Sequence, residues 1–396
     1  MGYLFSPIPK ALIAMGLPTM IGIMINALYN LADAYFVGGL GTSQMGAISV
    51  AFPLGQVVVG LGLLFGNGAA SYLSRLLGRG EKEKVSQVAS TALCSSVLVG
   101  VIVIICSLIF LKPILRFLGA TDSILPYAVT YTSIYITASI FNVFNATMNN
   151  ITTSEGATKT TMRTMITGAV LNIILDPIFI CGLNFGIAGA AIATGISQFV
   201  STSVYVSYIL SKKSAFNFRV SDCSFTKEIM SEILKIGIPT LFFQLLTSLA
   251  ITLVNMKSAA YGDSVIAGMG AVTRIISLGS LMVFGFIKEF QPIAGYSYGA
   301  KNYDRLHESI KTSVVWTTAF CVVVGLLLFL FSTTIISQFT KGDNELIEIG
   351  SKSLRIADVL STIIAVFMSI SLYKDLNREQ SSTAKVSQPQ TNSNLN

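Results

Sequence analysis

The stretch VASTALCSSVLVGVIVIICSLIFL, residues 88–111, contains no charge, and the nearest charges on either side are Lys84 and Lys112. A run of this length matches the ~20 apolar residues that carry a helix across a bilayer. It does not alternate apolar and polar residues in ten-residue blocks, so a transmembrane barrel is excluded. Working outward, ten such segments can be drawn at about 12–37, 46–66, 88–111, 125–150, 162–183, 187–210, 235–257, 264–288, 311–335 and 347–373. The first is too long for a signal-peptide core and is read as a helix that stays.

Composition agrees. Of 396 residues, 52% are hydrophobic and 11% charged, against roughly 25% charged in soluble domains, and mean hydropathy is +0.70. The net charge of +7 is spread over loops rather than gathered into a nucleic-acid-binding face. With the N-terminus in the cytoplasm, the inner loops carry 18 Lys and Arg and the outer ones 5, and this bias sets the orientation. Cys94, Cys106, Cys181, Cys223 and Cys321 stand singly, as neither a disulfide framework nor a metal site.

The chain repeats itself. Gly16-Leu17-Pro18 opens the first segment and Gly237-Ile238-Pro239 the seventh, 221 positions later. Leu77-Gly78-Arg79 and Tyr298-Gly299-Ala300 keep the same offset of 221. A fixed offset in the same order predicts two parallel-repeat helical bundles, an architecture of transporters. The expected fold class is thus an all-α integral membrane protein, with six helices in an N-terminal lobe (1–212) and about four in a C-terminal lobe (235–373). Residues 213–234 read as a cytoplasmic linker and 374–396 as a polar disordered tail. Counterparts of the fifth and sixth segments would fall at about 383–431, a range that runs past residue 396, so the second lobe reads as incomplete.

Leu171-Asn172-Ile173-Ile174-Leu175-Asp176-Pro177 places an acid and an amide one helical turn apart in an apolar run. An acid at membrane depth marks a functional site. Pro177 lacks an N–H, so the Ile173 carbonyl loses its intrahelical partner. In the first segment Asn26, Tyr29, Asn30 and Asp33 share one helix face. At ~1.5 Å per residue, Asp33, Asp176 and Thr194 all lie within roughly 7–12 Å of the outer segment ends, level with one another. Asn142, Asn145 and Asn149 form another stripe, which can be interhelical hydrogen-bond glue or cavity lining. An amide would be cheaper glue than a carboxylate, so the two acids are read as functional. They suit proton exchange or, as an all-oxygen set, Na⁺, and the residues leave both open. Lys288-Glu289 reads as a solvated pair near the inner end of segment eight, with a cavity acid as the sharper alternative. No P-loop, metal-spaced His/Cys set or nucleophile–base arrangement points to an enzyme.

The Gly16-Leu17-Pro18 motif, Asp33-Ala34-Tyr35-Phe36-Val37-Gly38, Asn172 through Pro177, Gly189-Ala190-Ala191-Ile192-Ala193-Thr194 and Gln291-Pro292-Ile293-Ala294-Gly295-Tyr296-Ser297-Tyr298-Gly299-Ala300 together resemble the multidrug and toxic compound extrusion (MATE) family, its bacterial damage-inducible branch most of all. The resemblance covers about residues 10–360. It implies two six-helix lobes, the last two helices lacking here, that alternate between inward and outward access. It also implies a monomer in the cytoplasmic membrane of a bacterium, N-terminus inside, exchanging small cationic or amphipathic drugs for Na⁺ or H⁺ without a cofactor. The family's cation site falls on Asp33, Asn172, Asp176 and Thr194, with possible cavity lining at Asn26, Tyr29, Asn30, Asn145, Asn149 and Glu289. Where relatives carry Gln-Gly this chain has Lys288-Glu289. The alternatives are a lipid-linked oligosaccharide flippase, for which more cationic cavity residues than Lys257, Arg274 and Lys288 would be expected, and a truncated remnant that does not transport.

Overall fold

The computed structural model describes residues 6–211, 214–259, 263–337 and 344–386; over most of 251–278, and beyond 374, the description is of the backbone. The chain is helical: α1 (Ile8–Gly38), α2 (Thr42–Arg79), α3 (Lys82–Ile109), the short α4 (Leu111–Phe117), α5 (Leu125–Ser154), α6 (Thr158–Pro177), α7 (Gly186–Leu210), α8 (Lys227–Ala259), α9 (Asp263–Gly299), α10 (Tyr303–Ser337) and α11 (Asn344–Val386). Each of the ten expected segments has its helix. Several run well past the apolar stretch that announced them, because lipid limits hydrophobic length and not helix length.

Connections are tight and use the expected chemistry. α2 stops at Gly80, whose φ of +78° is open to glycine and whose N–H caps the Leu76 and Leu77 carbonyls. α6 ends differently. Past Pro177 the backbone widens into one π turn, Ile178–Gly182, the local irregularity that a missing N–H permits. Gly189 of α7 lies against this turn, and a Cβ there would stand 2.7 Å from the Phe179 carbonyl.

The helices are polar and small within, large and apolar without. On α3 the buried residues include Val88, Ala89, Thr91, Ala92, Ser95, Ser96, Gly100 and Ser107, whereas Leu98, Val101, Ile102, Ile105 and Ile109 are exposed. That arrangement would be unstable in water. In lipid, helix association gains nothing from hiding leucine and depends on close packing of small residues.

Among the described residues, contacts divide the chain into two compact units, Met1–Val254 with Ser280–Tyr303, and Asn255–Gly279 with Asp304–Asn396. Within the first, α2 packs on α5 and α3, α1 on α6, and α5 on α7. The repeat motifs are at work here. Gly237 of α8 would bring a Cβ to 2.2 Å from the Leu64 carbonyl of α2, and Gly16 of α1 faces Phe286 of α9 at 3.4 Å. The helix that opens each half thus packs on the second helix of the other half. The second unit has its own core of Val272, Ile275, Ile336 and Leu354, and Arg355 there donates to Ser332 Oγ at 2.6 Å.

Two boundaries expected from sequence shift. The linker is shorter than 213–234, because α8 starts at Lys227, where Thr226 Oγ1 accepts from the Ile229 N–H at 3.4 Å. Ion pairs of Lys84 with Glu228 at 2.6 Å and Arg75 with Glu232 at 2.8 Å hold the first two turns of α8. The tail is corrected too: α11 continues to Val386, since no Gly or Pro interrupts the chain between Lys374 and Pro389. The expected disorder of 387–396 lies outside the described residues.

The linker itself is anchored. Its amides at Asn217, Arg219 and Ser224 donate to the Ser86, Ser90 and Thr91 hydroxyls of α3 at 3.2, 3.3 and 2.9 Å. Glu155, just past α5, is buried and accepts from Tyr208 Oη at 2.6 Å, Ser214 Oγ at 3.0 Å and the Ala215 N–H at 2.6 Å. Burial nevertheless pushes its carboxyl above the usual range. A carboxyl so raised stabilises the fold fully below its unfolded pKa and loses that contribution as pH rises through the folded value. Anchoring of 214–216 should therefore weaken as pH climbs above the ordinary carboxylate range. Amide hydrogen exchange at Ala215 and Phe216 measures it, and Glu155→Gln should flatten the pH dependence; an unchanged slope in the variant would exclude Glu155 as its source.

Candidate cation site and polar cavity

Small residues bring the polar helices together. A Cβ on Gly168 of α6 would sit 2.3 Å from Ser201 Oγ of α7, and one on Gly22 of α1 would sit 3.0 Å from Met165 Sδ of α6. This close approach aligns the polar stripes of α1, α6 and α7, with α5 completing the wall.

The expected ligands meet on α6 and α7. Asn172 Nδ2 lies 3.3 Å from Asp176 Oδ1 and 3.4 Å from Thr194 Oγ1, donating to both. Asp176 is fully buried and Asn172 nearly so. Asp33 comes from α1, makes no hydrogen bond to this trio, and lies within electrostatic reach of Asp176. Asp33 Oδ1, Asp176 Oδ2 and Asn172 Oδ1 are buried with no hydrogen-bond partner in the protein. Buried acceptors are nearly always satisfied, and leaving one unpaired costs about 1–3 kcal/mol. Three unpaired oxygens in one neighbourhood, with a hydroxyl beside them, fit a bound hard cation or a proton. The Asp176–Pro177 step explains the position: α6 presents its acid in the turn before the π turn, where the Ile173 carbonyl has lost its helical donor.

Beside the trio is a cavity of about 450 Å³. Its lining includes Asn26, Tyr29, Asn30, Asn145, Asn149, Asn172 and Thr194. Asn172 thus touches Asp176 on one side and the cavity on the other, and Thr194, its second partner, lines the cavity with it. Several lining amides are already committed: Asn145 Nδ2 donates to Gln198 Oε1 at 2.8 Å and to its carbonyl at 2.9 Å, and Asn30 Nδ2 to the Asn26 carbonyl at 2.8 Å. Asn145 serves as interhelical glue and as lining at once, whereas Asn30 bonds within α1.

Lys288-Glu289 departs from expectation. α9 extends eleven positions past Lys288, so the pair lies inside the helix rather than solvated at its end. Glu289 is fully buried, accepts from Thr19 Oγ1 at 2.5 Å, and is not among the residues lining this cavity. Lys288 lines it instead and donates to Asn149 Oδ1. Lys257 and Arg274 have side chains outside the described residues.

Sequence reading passed over Gln198, Tyr205 and the stacked pair Tyr131 and Tyr135, whose rings lie 5.7 Å apart. The signal was present for the tyrosines: positions 131, 135, 142, 145 and 149 share one face of α5, so the asparagine stripe continues into the two tyrosines, both within electrostatic reach of Asp33.

Comparison with known proteins supplies the context. The MatE family model matches residues 18–178 and again 239–377, and the two matches begin 221 positions apart, the offset of the repeat. Multidrug export protein MepA of Staphylococcus aureus is 30% identical over 352 residues, 89% of this chain and 78% of that protein. MepA of Staphylococcus saprophyticus is 30% identical over 365 residues, 92% of this chain and 78% of that protein. Among solved structures, the outward-facing conformation of a multidrug resistance MATE family transporter superposes with a TM-score of 0.87 at 28% identity, covering 93% of this chain and 82% of that one.

Proposed function

We propose that this chain, which belongs to the MATE family, exports small cationic or amphipathic drugs across the cytoplasmic membrane by alternating access, in exchange for Na⁺ or H⁺. The carrying observation is the Asn172–Asp176–Thr194 trio bordering a 450 Å³ cavity through two of its own members. Occupancy of the trio by a cation or proton changes the charge and hydrogen bonding of side chains that also form the cavity wall. That is a direct physical route by which ion and drug exclude one another. Asp33 and Asp176 would hold the ion, with Asn172 and Thr194 as neutral ligands. A cavity of this size suits a drug-like molecule, and its mixture of amides, hydroxyls and Tyr29 offers many weak contacts to the body of such a molecule. The N-terminus on the cytoplasmic side follows from the charge bias.

The test is reconstitution of the chain in vesicles with a fluorescent cationic dye and an imposed Na⁺ or pH gradient. One of the two gradients should drive dye movement, and collapsing it should stop the movement. Dye transport indifferent to both would remove the coupling reading.

A further inference from the structure

Among the described residues lining the cavity, one side chain is formally charged, and it is a base: Lys288. An ammonium at membrane depth is costly and normally pairs with an acid. Lys288 has Asn149 as its hydrogen-bond partner, and no carboxylate lies within ion-pair distance of its Nζ among the described residues. The neighbouring Glu289 is within electrostatic reach of Lys288 but forms no ion pair with it, since its carboxylate faces α1, where it accepts from Thr19. An ammonium carries three donors, and one goes to Asn149. The one carboxylate of the cation trio, Asp176, is not among the lining residues and bonds Asn172, which is.

We propose that Lys288 is a specificity-determining residue that pairs with a carboxylate carried by the transported amphiphile, so that the cavity favours zwitterions and acids over the corresponding cationic esters. The inference deepens the drug-export reading and rests on it. The polar lining supports the assignment. Asn149 holds the ammonium at the wall, and the amides around it are partly committed to one another, which leaves the charge–charge contact to discriminate between ligands. A charge-assisted hydrogen bond in such surroundings corresponds to about tenfold to a hundredfold in affinity.

Rhodamine 110, which has a free carboxylate, and rhodamine 123, its methyl ester, make a matched pair of probes. Fluorescence anisotropy with the purified full chain gives both affinities without requiring transport. The wild type should bind rhodamine 110 at least about tenfold more tightly than the ester. Lys288→Met should abolish or reverse the preference, and Lys288→Arg should keep it. Lys288→Gln serves in place of the methionine variant if the latter does not fold. Asn149→Ala, which frees the ammonium but leaves the charge, should retain the preference, whereas a merely structural tether would lose it with either partner. An unchanged ratio of affinities in Lys288→Met or Lys288→Gln, or a wild type that prefers the ester, overturns the inference alone. Failure of both dyes to bind overturns it together with the reading of the cavity as a drug site.

Discussion

Asp176→Asn is expected to lower gradient-driven export by about a hundredfold while leaving the protein at least as stable as the wild type. The two effects point in opposite directions, and that gives the experiment its force. Asparagine has nearly the shape of aspartate and keeps an oxygen to accept from Asn172 Nδ2, now 3.3 Å away. What it loses is the charge and the second carboxylate oxygen, Oδ2, which no protein group satisfies. If Asp176 were only interhelical glue, a neutral amide at this fully buried position would serve equally well and would cost less to bury. Retained export would therefore remove Asp176 from the site. Asp33→Asn should behave alike, since its unpartnered oxygen belongs to the same neighbourhood. Asn172→Ala and Thr194→Ala remove neutral ligands and should reduce export by about tenfold. Melting curves of the purified variants, alongside efflux in vesicles, separate lost chemistry from lost fold.

The acid on α6 was legible because a carboxylate inside an apolar run has few structural uses. Its companions followed from counting residues to the outer ends of three segments, which places groups in depth. Depth does not say which groups touch. Thr194 meets Asn172 because Gly168 and Gly189 let α6 and its π turn press against α7, a property of pairs of helices that one helix's hydropathy does not carry. The same limit explains Lys288-Glu289. The apolar run of the eighth segment ends near these residues, whereas α9 continues to Gly299, so of a pair read as solvated Glu289 is buried and Lys288 faces the cavity. The crosswise packing of α1 on α9 and α8 on α2 was equally hidden. In lipid no outward hydrophobic stripe names the partner, and the repeat showed only that the halves are alike.

The sharpest structural prediction concerns the glycines that announced the repeat. Gly78 and Gly299 occupy equivalent positions near the ends of α2 and α9, and the two helices cross there backbone to backbone. A Cβ on Gly78 would lie 2.2 Å from the Tyr296 carbonyl oxygen and 3.0 Å from the Gly299 Cα, and one on Gly299 would lie 2.0 Å from the Arg75 carbonyl oxygen. No flexible side-chain end can yield here, so each alanine must push one helix off the other. Gly299→Ala is expected to destabilise by about 3 kcal/mol or more, toward the upper end of overpacking costs, and Gly78→Ala by a similar amount. The pair should not add. Once the first alanine has opened the crossing, the second enters a gap already made, so the double variant should fall short of the sum by at least about 1 kcal/mol. Gly80→Ala is the control: nothing lies within 4 Å of its Cβ, and its cost comes from its positive φ alone, about 1 kcal/mol. Strict additivity between positions 78 and 299 would mean that the two glycines do not share one crossing. Coupling would instead show that the repeat read in the sequence is a physical contact, in which each half supplies the glycine that admits the other.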